Sequence, residues 1–265
     1  MQFQFQAHRE EAQNIHSYAD KKIADSKLKN FNLGTIVLFS DHWGKKFLPA
    51  CKSSLPEYKK FSESLVGINW SGLFNATKNQ GDYLVYNEPY EETSNTILNH
   101  FAIYLSSLTQ RQICSELIVC ADTHSTQRSH LTVAFFDYIT RILKLFGENG
   151  KSELLFYLKG HHDHPGDRAH AKLQQIYYKS LKNGTKIGDP LQFCNLMTPL
   201  TNYNLRWKLG FHDFPVWFRD KYNPIPNISS CHFFQFTQSG ILTKSATLTE
   251  PFSLWRTDPT TEPCI

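Results

Sequence analysis

GTIVLFSD, residues 34–41, is the stretch on which the fold turns. It opens on a glycine, runs through β-branched and apolar side chains without alternation, and ends on a carboxylate. A run this short and this uniformly apolar predicts a strand buried on both faces, as in a parallel or mixed sheet covered by helices. Asp41 then stands at the end of the strand, the first charged group met on leaving the core. SELIVCAD (115–122) repeats the pattern and also closes on a carboxylate, Asp122.

Outward from these two runs the chain reads as follows. Residues 8–30 are polar, highly charged and free of Gly and Pro, which predicts a solvated, weakly amphipathic helix leading into the core. KKFLPACKSSLPEYK, with Pro49 and Pro56, reads as a turn-rich link. ESLVGINWSGLF (63–74) and DYLVYNE (82–88) are strands around the hairpin loop ATKNQG. Ile97, Leu98, Phe101, Ala102 and Leu105 fall at helical spacing within 92–113, with Thr93 or Ser94 as N-cap. Residues 129–147 predict a helix closed by Gly147, SELLFYLKG (152–160) a fifth strand, and 166–184 a helix with Gly184 just beyond its end. After about residue 185 the signal weakens to a short helix in HDFPVWFRDKY and two terminal strands, SCHFFQFT and GILTKSATL.

The order β-β-β-α-β-α-β-α is that of an α/β RNase H-like fold, a mixed sheet flanked by helices. The expected organisation is a leading helix over 1–32, the core over 33–184, and a C-terminal α+β extension over 185–265 packed on that core.

Composition narrows the function only a little. A net charge of +4 with twelve further histidines is compatible with nucleic acid but does not specify it. None of the six cysteines forms a C-x-x-C pair, which removes zinc-knuckle and thioredoxin-type readings. The N-terminus lacks the apolar centre of a secretory signal, and no run of about 18 apolar residues predicts a membrane span. A cytoplasmic or nuclear setting with reduced thiols is expected, away from membranes and not secreted. Oligomerisation is left open.

Catalytic groups of α/β sheets gather at the carboxyl ends of parallel strands. Asp41 and Asp122 would end neighbouring strands, and Asp167 would open the helix after the fifth strand. Three carboxylates that close repel one another unless a hard cation neutralises them, so two Mg²⁺ or Mn²⁺ ions are the expected occupants. Each residue also has a local reading: a turn for Asp41, an Asx-turn for Asp122, a helix-terminal carboxylate for Asp167. The cluster GHHDHPGDRAH (160–170) holds His161, His162, Asp163, His164 and His170, a conceivable zinc set, but without H-E-x-x-H spacing or a nearby Cys it reads rather as a solvated His-rich turn with one or two functional members. Asp167 and His170 share a helical face. His161 is the candidate proton shuttle or phosphate contact. Arg168 could meet a phosphate or pair with a carboxylate, Gln127 could contact a phosphate or act as a cap, and Glu88 is a candidate fourth acid.

SDHWGKKFLP (40–49), VYNEPYEETSN (85–95), ADTHSTQRSH (121–130) and GHHDHPGDRAH (160–170) together resemble an uncharacterised RNase H-like domain of transposon-derived eukaryotic proteins. That family's motifs are D-F-Q-x-x-L-P-L-P, a W-D-E strand, D-N-C-x-G-Q-N-K and G-H-T-H-N-D-x-D-R. The resemblance covers the chain from residue 8 onward and rests on motif order and spacing. It assigns the acidic positions to Asp41, Asp122 and Asp167, and matches Leu48, Pro49, Glu88, Gln127, Gly160, His161 and Arg168. The chain departs at Thr126, where the family has Gly, at Arg128-Ser129, where it has Asn-Lys, at His42 and at Thr123. The resemblance implies metal-assisted hydrolysis or strand transfer at DNA phosphodiesters, such as transposon ends, in the nucleus, with Gln127, Arg128 and Arg168 on the nucleic acid. The alternative it leaves is an inactive, domesticated or truncated copy kept as a binding or interaction domain. A metallophosphoesterase, suggested by GHHDH, lacks its G-D-x-x-D and G-N-H-D blocks.

Overall fold

The computed structural model describes residues 2–28, 34–52, 65–87, 93–108, 114–158, 164–197, 202–208, 210–219, 221–222, 225, 227–244 and 253–255. Among these residues, nine strands form one mixed sheet with helices on both sides. The strands are β1 (Thr35–Leu48), β2 (Val66–Asn75), β3 (Gln80–Asn87), β4 (Glu116–Ala121), β5 (Lys151–Phe156), β6 (Tyr203–Trp207), β7 (Phe233–Thr237), β8 (Gly240–Lys244) and β9 (Ser253–Trp255). The helices are α1 (Gln2–Leu28), α2 (Ser94–Ser107), α3 (His130–Asp137), α4 (Pro165–Lys182), α5 (Pro190–Met197) and α6 (Phe214–Phe218). Across the sheet the order is β6-β3-β2-β1-β4-β5-β7-β8-β9. β1 pairs in parallel with β4 and β4 with β5, whereas β1-β2-β3 is an antiparallel meander. Residues beyond α4 continue this same sheet on both of its sides: β6 joins β3, and β7 joins β5.

The uniformly apolar strands have the burial predicted for them. In β1, Ile36 and Leu38 face a layer formed by α2, α3 and α6, while Val37 and Phe39 face the opposite layer. β4 alternates in the same way, Leu117 and Val119 on one side and Ile118 and Cys120 on the other. Farther along that second face, Trp70, Tyr83 and Val85 pack with Leu173 and Tyr177 of α4 and Phe193 of α5. The described cysteines are free thiols, and no helix among the described residues is long and apolar enough to cross a membrane.

Several expectations need correction. β1 does not stop at Asp41 but continues to Leu48, because its second half pairs with β2 across an irregularity between residues 43 and 46; Lys45–Leu48 is therefore strand, not link. The helix expected over 129–147 is regular only to Asp137 and then widens into a π-turn, Tyr138–Ile142. Gly147 does not close it; it takes positive φ in a later turn. Gly184 does lie just past α4 with φ of 88°, a conformation that favours glycine. At α2, Thr93 is the N-cap, in a reciprocal capping box with Thr96.

The leading helix is less solvated than its composition suggests. Ala12, Ile15 and Ala19 are buried against the sheet. Tyr18 donates to the buried Glu153 at 2.6 Å, and Lys22 bonds Glu116 at 2.7 Å. Burial pushes the Glu116 carboxyl up, but bonds from Lys151, Lys22 and Thr35 outweigh it and hold the group at about 2. Ile15→Ala should therefore lower the unfolding free energy by about 2–4 kcal/mol, read from the denaturant midpoint. A change near zero would mean that α1 is not part of the core.

Candidate functional site

Asp41 and Asp122 are brought together by the β1–β4 ladder. Its last paired residues are Ser40 and Ala121, so the two aspartates occupy the next position on neighbouring parallel strands. Strand alternation gives Asp41 the side of Val37 and Phe39, and Asp122 the side of Ile118 and Cys120. Both therefore belong to the face covered by α1 and α4, on backbones spaced roughly 4.8 Å apart.

Asp41 is held from two directions. The His42 backbone N–H donates to its Oδ1 at 2.7 Å, and His170 Nδ1 lies 2.8 Å from its Oδ2. The Asp41 side chain is 23% exposed and that of His170 only 9%. Burial pushes the Asp41 carboxyl up, but the His170 bond and charge, the nearby His164 and the His42 N–H prevail and hold it below the ordinary carboxylate value. His170 reaches this position because the residue opposite Asp41 on β2 is Gly72. A Cβ there would collide with His170 Nε2 and would lie 2.7 Å from Tyr83 Cε1. The start of α4 is fixed by a second histidine. His164 caps the helix reciprocally with Asp167 and stacks on Phe39 at 4.9 Å and Tyr157 at 5.6 Å.

The remaining candidates are placed as follows. Asp122 Oδ1 accepts from the His124 backbone N–H at 3.0 Å and from Gln127 Nε2 at 3.3 Å, so it forms an Asx-type turn that the buried Gln127 completes. Asp167 Oδ2 accepts from the His164 backbone N–H at 3.0 Å. Asp167 thus plays the helix-terminal part, at the third position of α4. Among the described residues, no three His, Cys, Asp or Glu are placed to hold a metal ion. Arg128 is partly buried, with its Nη1 enclosed and without a hydrogen-bond partner among the described residues, and burial lowers its pKa against the nearby Cys231. Arg168 is exposed on α4, beside a recess of about 310 Å³ that Lys27 and Tyr203 also line. His161, with Gly160, His162, Asp163 and Glu88, lies outside the described residues.

Sequence alone places His164 and His170 in a histidine cluster, and His170 on the helical face of Asp167, but points to neither as a partner of Asp41 or Phe39, and it singles out Gly72 for nothing. The available signal was the isolated glycine inside the strand NWSGLF, a common mark of close approach by another group. On the other face of the sheet it also missed His42, Ser71, Asp82 and His100. His42 Nε2 bonds Tyr86 Oη at 2.7 Å, and burial, opposed by Asp41, drives the His42 imidazole down to about 4.

No family model matches the chain, and a search of curated proteins finds no match, so the family resemblance rests on the motifs themselves.

Two outcomes follow from this geometry. Gly72→Ala should displace His170 and lower stability by about 1–3 kcal/mol. It should also abolish the coupling between Asp41 and His170 in a double-mutant cycle (Asp41→Asn, His170→Gln). Retained coupling would contradict the steric account. The second outcome concerns acid. His42 titrates near 6.5 when unfolded and near 4 when folded, so the unfolded chain binds the proton first. Stability is then complete above pH 6.5 and falls towards pH 4, by at most about 1.4 kcal/mol per unit. His232, also held low by burial, acts in the same direction. His42→Gln should therefore reduce the slope of unfolding free energy between pH 6.5 and 4, and an unchanged slope would clear His42 of this role.

Proposed function

We propose that the chain is an RNase H-like domain of transposon origin that cuts or transfers DNA phosphodiesters with divalent metal at Asp41 and Asp122. The carrying observation is their side-by-side placement, one residue beyond Ser40↔Ala121, on the same face of the sheet. The strand order 3-2-1-4-5 with β2 antiparallel, and helices on both faces, supports the same reading. By chemistry the two carboxylates suit a hard cation such as Mg²⁺ or Mn²⁺. Asp167, bonded back to its own helix cap, is the member whose fit is poorest.

A pair of ions at such a site would activate the attacking oxygen and stabilise the leaving one. The chain's own residues do the positioning. His170 and the His42 N–H fix the Asp41 carboxylate and keep it ionised, while Gln127 and the His124 N–H fix Asp122 Oδ1. Transposon ends are the proposed DNA and the nucleus the proposed location. A second reading, a non-catalytic DNA-binding or interaction domain, is favoured by one observation: all three carboxylates already have local partners.

Plasmid nicking with Mg²⁺ or Mn²⁺, alongside a gel-shift assay, separates the two readings. Metal-dependent nicking by the wild type, reduced about 100-fold or more in Asp41→Asn and in Asp122→Ala, is expected of the enzyme. If Asp122→Ala nicks as well as wild type, the enzymatic reading fails. Retained DNA binding without nicking would then support the second reading.

A further inference from the structure

On the face of the sheet opposite Asp41, a cleft of about 320 Å³ opens between β3, β6 and the end of α2. Lys78, Asp82, Tyr104, Asn202, Asn204 and Arg206 are among its lining residues. Its floor is a buried ionic network. Asp82 is 5% exposed and accepts from three side chains: His100 Nε2 at 3.0 Å on Oδ1, and Asn204 Nδ2 at 2.9 Å and Arg206 Nη2 at 2.6 Å on Oδ2. Behind it, His100 Nδ1 lies 2.9 Å from Ser71 Oγ, both residues fully enclosed. Three of the carboxylate's roughly four acceptor positions are taken, so its main effect on the cleft is to fix the orientation of the groups around it.

Those groups are donors. Arg206 Nε is buried and has no hydrogen-bond partner among the described residues. Tyr104 Oη accepts from Asn75 Nδ2 at 2.9 Å, so its own O–H remains to be given. Burial, opposed by the Asn75 bond, pushes that phenol up to about 12, so the proton stays in place at neutral pH. Lys78 adds an ammonium from the β2–β3 turn, and Asn202 an amide. With Asp82 neutralising one of the two cations, Lys78 and Arg206, the lining keeps a positive excess. A buried ion pair adds little net stability over apolar packing, so clamping β6 to the edge of β3 does not by itself account for this network. A guanidinium locked by a buried carboxylate, beside a lysine and a phenol, is the donor set that recognises an oxyanion.

We propose that this cleft binds a small molecule through its phosphate or carboxylate group, with Arg206, Lys78 and Tyr104 as the anion-contacting residues. The volume leaves space beyond the anion for a body the size of a sugar or an amino acid. The site lies across the sheet from Asp41 and does not depend on the proposed phosphodiester chemistry.

Calorimetric titration of the full chain with inorganic phosphate, and separately with citrate, tests this and identifies which anion is taken. One saturable site for at least one of them is expected. Lys78→Ala and Tyr104→Phe should each weaken it about tenfold, Lys78→Ala at an unchanged unfolding midpoint and Tyr104→Phe at a lower one, because the buried Asn75 amide loses its acceptor, while Asp41→Asn leaves it intact. Arg206→Lys, which keeps the charge but loses the planar fork, should weaken it as well. No saturable binding of either anion, or binding indifferent to both Lys78→Ala and Tyr104→Phe, would overturn the proposal and leave the network as a clamp on β6.

Discussion

β1 is the strand at which the antiparallel meander meets the parallel part of the sheet. It pairs with β2 on one edge and β4 on the other, and helices cover both of its sides. A strand so placed has no route to solvent through its side chains until the covering layers end. Its sequence is therefore apolar through Phe39 and turns polar at Ser40 and Asp41. Alternation then decides which polar group goes where. Asp41 inherits the side of Phe39 and so meets α4, where His164 stacks on Phe39 and His170 bonds the carboxylate. His42 inherits the other side and meets Tyr86. One step along the backbone separates two polar environments on opposite faces of one sheet.

Both environments depend on burying ionisable groups, which costs several kcal/mol per ion unless partners compensate. The compensation differs between them. Asp41 has a single histidine side chain and a backbone N–H, is partly exposed, and sits over a glycine that lets the imidazole descend to the sheet. Asp82 is nearly enclosed and engages a histidine, an asparagine and an arginine, the last two supplied by β6. That contribution comes from more than a hundred residues away in sequence. The return of the chain to the β3 edge is thus tied to the polarity of the cleft.

This distance also explains what the sequence could convey. The central strands were legible because burial on both faces leaves a continuous apolar run, and α2 and α4 because their caps and terminal glycine are local signals. The continuation of β1 beyond Asp41 was not legible, since Lys45–Leu48 takes its strand character from pairing with β2 and not from its own composition. Nor was the docking of α1, in which Ala12, Ile15 and Ala19, scattered among many charges, are buried and Tyr18 and Lys22 bond to the sheet. Of the candidate site, Asp41 and Asp122 were legible as carboxylates closing apolar runs. Gly72 and His170 were not, because neither has a function until a helix crosses a strand.

Asp122 and Asp167 take the local parts that their sequence context also allowed, an Asx-type turn and a capping box. A local part does not consume a carboxylate. Each has two oxygens and about four acceptor positions, and a capping bond is worth only about 1 kcal/mol. For Asp122 the bonds from His124 and Gln127 both fall on Oδ1, which turns Oδ2 into the oxygen whose direction those bonds determine. The turn at 122–127 then acts as a mount, and Gln127, buried and reaching back to the carboxylate, is the side chain that closes it. Thr126 sits outside that bond and pairs instead with His124 at 2.7 Å. The His124–Thr126 pair and the Gln127–Asp122 contact therefore coexist in one turn.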